Sequence, residues 1–459
     1  MVAFSRFGVS VWLVRGGVLW YTFCREEAKM KKIDYKWFAL ALLWVAFFLQ
    51  QGTRQVYGPL LGSIQGAVGA TDVQLGLVST VFTLVYGITI PFAGFAADLF
   101  SRKWMVVIGV AIFSAGILTS GFVTCIGALV VTYGFINGFG QPFYYPSSTS
   151  LISQLHADSK ATALSLLQLG MYGGVIGCSW LAGWFAGLGT EGWRLPFKVL
   201  GALGLCWAAV LAFTLRNTGT SRSRATENTG GAQLGAADAA DARERVPPVT
   251  IGGALKAMFS KPAAVLIALA LGMEVYVDVG FKTWMPNYLS ETFHVSKASA
   301  GLNAVLWHYL GAALGIVIGS RVGDRFVKRC PTIRFWVIGG GLLLGAPFIF
   351  LMSQATTYLT CCIAMFLFGV FRGAYDSNNF AAFFDVVEPR YHASAAGFNL
   401  MIAFLFGCFS PTVLGWTKAH YSMATGLASL AVAYLVGVAL LTVGGRVFSR
   451  SHRNGCPLQ

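Results

Sequence analysis

Leu75-Gly76-Leu77 opens an apolar run that closes on Gly94-Phe95-Ala96-Ala97-Asp98-Leu99-Phe100-Ser101-Arg102-Lys103. About 225 residues later, Ala300-Gly301-Leu302 opens another, which closes on Gly319-Ser320-Arg321-Val322-Gly323-Asp324-Arg325-Phe326-Val327-Lys328-Arg329. The aspartate follows the glycine by 22 residues in the first copy and by 23 in the second. At about 1.5 Å per residue, each run is long enough to cross a hydrocarbon layer of about 30 Å as a helix. A helix and loop duplicated at this spacing imply a chain made of two equivalent halves. Parallel halves of this kind are a building plan of transporters that rock between two states.

Working outward, the composition agrees. Of 459 residues, 56% are hydrophobic and only 11% are charged, against about 25% charged in soluble domains. The expected class is an all-α membrane protein. A net charge of +15 could suggest nucleic acid, but the basic residues are scattered between apolar runs and form no stripe, so no nucleic-acid partner is expected. The nine cysteines are odd in number, and Cys178, Cys206, Cys361, Cys362 and Cys408 lie inside apolar runs without metal-ligand spacing. They read as small packing residues, and neither metal nor cofactor is expected.

The apolar runs predict about twelve spans, beginning with Trp37–Gln65, with the fourth at Gly127–Gln154, the seventh at Pro262–Leu289, the tenth at Thr357–Val387 and the last at Ala424–Val443. Residues 30–215 form the first six-helix bundle and 262–445 the second, related by pseudo-symmetry. Residues 216–261 form a linker that is Ser-, Gly-, Ala- and Asp-rich up to Pro247-Pro248, then a short surface helix at Ile251–Phe259. Residues 446–459 form a tail. Residues 1–29 read as a mis-assigned start or dispensable leader, because Val9–Phe23 is short and interrupted by Arg15 and Met30-Lys31-Lys32 resembles a natural start.

With an even number of spans, both termini and the linker share one face. That face also takes the loops with Arg102-Lys103, Lys160, Arg325, Lys328-Arg329 and Arg390, leaving Arg194, Lys198, Lys297 and Lys418 opposite. The asymmetry predicts a cytoplasmic linker face and cytoplasmic termini.

One stretch violates the apolar rule. Gln50-Gln51-Gly52-Thr53-Arg54-Gln55-Val56-Tyr57 follows the thirteen residues Trp37–Leu49, which are too few to span, so the helix is expected to run on through Arg54. A guanidinium at that depth costs about 2.5–3.5 kcal/mol on insertion scales. It is expected to face water, a partner or an anionic ligand.

From Met30 onward the sequence resembles the major facilitator superfamily. The loop signature of that family is present as Gly94, Asp98, Arg102 and Lys103, with Leu99 where an arginine is usual; the second copy keeps Asp324 and Arg325 but has Ser320 at the glycine position. The resemblance implies a gating role for these loops, whose carboxylates pair with basic residues when the cytoplasmic side closes. Within the superfamily, Arg54, Asn137-Gly138-Phe139-Gly140-Gln141-Pro142 and Trp284-Met285-Pro286-Asn287-Tyr288-Leu289 resemble the organophosphate:phosphate antiporters and the sugar-acid anion:cation symporters. Two departures matter. Sliding Arg54 by the repeat lands near Asp278, so the second arginine of the phosphate branch is missing. Thr53 and Gln141 stand where the sugar-acid branch carries acids.

The candidate substrate residues are Arg54 as anion anchor, Gln51 and Tyr57 beside it, Gln141 and Tyr145 in span four, Asp278 in span seven, and Arg372, Asp376 and Asn379 in span ten. Asp278 is expected to pair with Arg54 or to bind the coupling proton, with Glu274 and Asp376 as rivals for the proton and Lys282 as local neutraliser. Gln50, Tyr144, Gln168, Tyr172, Trp307 and His308 suit cavity lining and helix-to-helix hydrogen bonding equally well.

The expected function is secondary active transport of a small polar organic solute, an organic anion such as a sugar acid, coupled to protons or a counter-anion. The expected setting is a single copy in a bacterial inner membrane. The alternatives are a neutral sugar or amino-sugar symporter, a sugar-phosphate antiporter and, outside transport, a transporter-like sensor. No nucleotide motif, metal set or nucleophile–base pair points to an enzyme.

Overall fold

The computed structural model describes residues 18–216, 251–326, 332–388 and 391–454. Every element among them is helical. Among the described residues, ten helices are long and apolar enough to cross a membrane. The other two expected spans are also built, but each is broken, and the breaks have a local cause.

Span one runs as Val18–Gln55 and then Tyr57–Val68, with Val56 between them. Val56 keeps helical angles (φ −63°, ψ −31°), so the chain kinks rather than ends. Pro59 has no N–H for the Gln55 carbonyl and its ring crowds that carbonyl. Span four is a chain of pieces: Ile126–Leu129, a wide π turn over Val130–Asn137, Gly138–Gly140, a tight 3₁₀ turn over Gln141–Phe143, and Tyr144–Leu155. Pro142 and Pro146 interrupt its ladder. The Gln50 amide donates to the Gln141 carbonyl at 2.7 Å, which also accepts from the Tyr144 backbone N–H, so span one is tied to the tight turn of span four.

The remaining spans are Asp72–Leu99, Arg102–Ser120, Lys160–Ala186, Arg194–Thr214, Pro262–Phe293, Lys297–Phe326, Ile333–Ser353, Tyr358–Val386, His392–Gly407 continued by Ser410–His420, and Met423–Asn454, and all but the end of the last follow the sequence reading within a few residues. The helix of span one begins at Val18, inside the segment read as leader, and the last helix continues past 445 to Asn454. Ile251–Phe259 is helical; residues 217–250 of the linker lie outside the described residues.

Spans two and five of the first half meet spans eleven and eight of the second, and the kinked end of span one packs on span seven. Among the described residues, the hydrogen bonds and ion pairs that join the halves run from mid-depth to the face opposite the linker. Thr80 donates to the Cys408 carbonyl (2.7 Å), Ser179 to the Gly301 carbonyl (2.6 Å), Lys297 to Ser63 (2.7 Å), and Lys418 pairs with Asp72 at 3.3 Å. Gly183 makes one contact possible: a Cβ there would collide with the Lys297 carbonyl. The halves are therefore sealed together on that far face.

Candidate functional site

Between the halves lies a cavity of about 450 Å³, a size suited to a small organic ligand. Its two walls differ in kind.

The first-half wall is built around Arg54, with Gln51, Tyr57 and Tyr133 also lining the cavity. The guanidinium lies 4.6 Å from the Tyr86 ring centroid and 5.5 Å from that of Phe82. Aromatic faces on span two thus support the cation without neutralising it. No carboxylate among the described residues forms an ion pair with Arg54. The Tyr133 hydroxyl donates to the Arg54 carbonyl at 3.0 Å, beside the kink. Tyr57 lines the cavity, but its hydroxyl already donates to the Leu75 carbonyl at 2.8 Å.

The second-half wall is a ladder of charges. Glu274, Asp278 and Lys282 follow each other at one-turn intervals along span seven, and Arg372 and Asp376 are one turn apart on span ten. Arg372 Nε lies 2.8 Å from Glu274 and 3.6 Å from Asp376, and its Nη1 pairs with Asp278. Lys282 holds the other side of Asp278 at 2.9 Å. Arg372 Nη1 also donates to His308 Nε2, so that nitrogen serves as acceptor. The His308 ring is stacked on Phe368, with Phe281 alongside.

Glycines set this geometry. A Cβ on Gly311 or Gly315 would collide with the Phe366 or Val370 carbonyl, and one on Gly369 or Gly373 with those of His308 or Ala312. Spans eight and ten therefore pack backbone to backbone, which brings Arg372 onto His308.

The site differs from the sequence expectation in named places. Arg54 and Asp278 line one cavity, but Asp278 pairs with Arg372 and Lys282 and forms no ion pair with Arg54. The physical reason is reach along the helix. Lys282 is one turn away from Asp278, and span ten delivers a second cation through the glycine contact.

Gln141 is fully buried within the first half and bonds Asn137, Thr53 and the Gln50 carbonyl, away from the cavity lining. Asn379 is also buried, accepting from Tyr375 at 3.1 Å. Tyr145 borders a separate shallow pocket with Thr149 and Gln168. Gln51, Arg54, Tyr57, Glu274, Asp278, Arg372 and Asp376 do share the cavity, together with Gln168 and Tyr172. The sequence reading does not single out Phe82 and Tyr86; their spacing of four on one helix face is the available signal.

Of the loop residues, Arg102 is buried, Lys103 stacks on Trp104 (5.3 Å), and the side chain of Asp98 lies outside the described residues. Gly94 has open space where a Cβ would stand. Asp324 is largely exposed, 3.8 Å from Arg334, which is bound more closely by Asp385 (2.7 Å). Arg325 lies against the Phe326 ring.

A two-bundle helical membrane protein with a polar cavity between its halves, sealed at one face, is the class of an alternating-access transporter. The sequence pattern of the Major Facilitator Superfamily matches residues 43–411. The chain belongs to that superfamily, whose members are membrane transporters and not enzymes. It is 24% identical over 415 residues to Protein spinster homolog 1 of Xenopus laevis, covering 85% of this chain and 75% of that one. It is 23% identical over 415 residues to the "Probable sulfoacetate transporter SauU" of Cupriavidus necator, covering 88% and 90%. Among solved structures, a bacterial homologue of the human lysosomal transporter Spinster, in an inward-facing and unoccupied conformation, superposes with a TM-score of 0.76 at 18% identity, covering 91% of this chain and 98% of that one.

Proposed function

We propose that this transporter moves a small organic anion and that Arg54 is its anchor. The observation that carries the reading is the asymmetry of the cavity. The second-half charges are paired among themselves, whereas Arg54 faces the cavity without an ion-pair partner among the described residues. A planar fork held against the aromatic rings of Phe82 and Tyr86 suits a carboxylate, sulfonate or phosphate group. The named substrate of one relative, sulfoacetate, is an anion of this class. A neutral-sugar symporter would require Arg54 to be neutralised by an acid, and no such pair is formed among the described residues.

The second-half wall is the proposed coupling element. Glu274, Asp278 and Asp376 carry three negative charges against two positive ones on Arg372 and Lys282, so one proton makes the cluster neutral. Asp376 is the loosest member, 3.6 Å from Arg372 and with 38% of its side chain exposed. Asp278 is already held by two cations, so Glu274 and Asp376 are the stronger proton carriers. With the linker face taken as cytoplasmic on the positive-inside argument, the seal on the far face supports reading this as the inward-facing state. In the outward-facing state, Asp98, Arg102 and Lys103 together with Asp324 and Arg325 would be drawn together.

The test is uptake in proteoliposomes, preceded by a thermal-shift screen of sulfonates, sugar acids, sugar phosphates and neutral sugars. Stabilisation by anions that disappears in Arg54→Ala supports the reading; equal stabilisation of both proteins overturns it.

A further inference from the structure

A second cavity, of about 470 Å³, lies outside the transport path, between span nine (Ile333–Ser353) and span twelve (Met423–Asn454) at their linker-side ends. We propose that it is a binding groove for one anionic phospholipid of the linker-side leaflet, with the headgroup on Arg446 and Arg450 and an acyl chain along Gly339, Gly340 and Leu343.

The glycines give the first argument. A helical glycine costs about 0.8–1 kcal/mol relative to alanine, and at Gly311, Gly315, Gly369 and Gly373 that cost is offset by backbone contact between helices. At Gly340 a Cβ would meet nothing within 4 Å, and at Gly339 only Leu441, at 4.0 Å. These glycines keep a channel open instead of closing one. Its outer wall is apolar and faces lipid: Trp336 is 69% exposed and Leu343 49%.

The arginines give the second. Arg446 and Arg450 are one turn apart on span twelve and both border the cavity. Neither forms an ion pair among the described residues. Arg334, at the start of span nine, is by contrast bound by Asp385 and Asp324. Two unpaired guanidinium groups above an apolar channel complement a phosphodiester joined to an acyl chain, and basic pockets between membrane helices bind such headgroups. From Arg446 to Val438, which also lines the cavity, is about 12 Å along the helix at about 1.5 Å per residue. That depth takes the upper part of an acyl chain.

The full-length protein, released from nanodiscs of equal phosphatidylglycerol and phosphatidylethanolamine, is examined by native mass spectrometry. The expected result is selective retention of one phosphatidylglycerol. At about 1 kcal/mol per arginine, Arg446→Gln lowers that selectivity about fivefold and the double variant with Arg450→Gln about 25-fold. Gly340→Leu, which fills the channel and leaves the charges in place, lowers retention of phosphatidylglycerol as well. Equal retention of both lipids, or selectivity unchanged in the double variant, overturns the proposal. Thermal stabilisation by glycerol 3-phosphate equal to that by phosphatidylglycerol also overturns it, because the site would then be one for a free phosphate.

Discussion

The two walls of the central cavity hold an arginine each, and the two arginines do opposite things. Arg372 is saturated, sharing itself among Glu274, Asp278, Asp376 and His308. Arg54 has only two aromatic rings and a cavity in front of it. A buried cation with several anions fixes a structure. A half-buried cation with no anion among the described residues is tolerable while solvent or ligand supplies the charge. The difference teaches that burial of an arginine within a span does not by itself mark a binding site; its unmatched state does.

The sharpest way to break this comparison is Arg372→Ala. It leaves three carboxylates facing one lysine, and removing one partner from a buried ion pair costs about 3–5 kcal/mol. Thermal unfolding in detergent should show a large loss of stability, with transport lost along with it. Survival of a stable, active Arg372→Ala protein would mean that the ladder is not what holds spans seven and ten together.

Arg54→Ala should show the reverse pattern. Losing a charge-assisted contact worth about 1.5–3 kcal/mol lowers apparent affinity for an anionic substrate by about 10–150-fold, while the unfolding temperature hardly moves. Arg54→Lys should recover part of the affinity, since charge remains but the planar fork is gone. Uptake unchanged in both variants would remove the anchor role.

Glu274→Gln and Asp376→Asn separate coupling from binding. At least one of them should abolish accumulation driven by a proton gradient while leaving substrate exchange intact. If both accumulate normally, the surplus negative charge has no part in coupling. The smallest effect is expected at the far face, where Lys418 joins Asp72 and the half-exposed Glu291. The arm to Glu291, whose side chain is 47% exposed, contributes about 0.2–1 kcal/mol, so Glu291→Gln should shift the balance between the two facing states only slightly. Accessibility of a cysteine label placed in the cavity would measure it.

Much of this was legible in the sequence because its cause is local. Apolar runs of the right length must be helical in lipid, since every backbone group has to be satisfied within the segment. The duplicated Gly76–Asp98 and Gly301–Asp324 stretches gave the two halves. Arg54 was conspicuous because a charge so deep in a span needs a reason. The pairing of Asp278 was less legible. The repeat places it opposite Arg54, and from sequence the neighbouring Lys282 reads as a local neutraliser. Gln141 and Asn379 looked like ligand contacts by residue type, yet each turns into its own bundle, Gln141 to bridge a proline-broken helix and Asn379 to accept from Tyr375.

The sequence by itself determined the helices, their number, the two halves and the membership of a deep arginine in the first span. Each of these follows from hydrophobic length and from the cost of a charge in hydrocarbon. Only the tertiary structure decided which polar residues share a cavity and which cation each acid holds. Those depend on how far each helix is rotated and how closely it approaches its neighbour. Here that was set by backbone contacts such as those of Gly311, Gly315, Gly369 and Gly373, which join residues some 60 positions apart and leave no periodic trace along the chain.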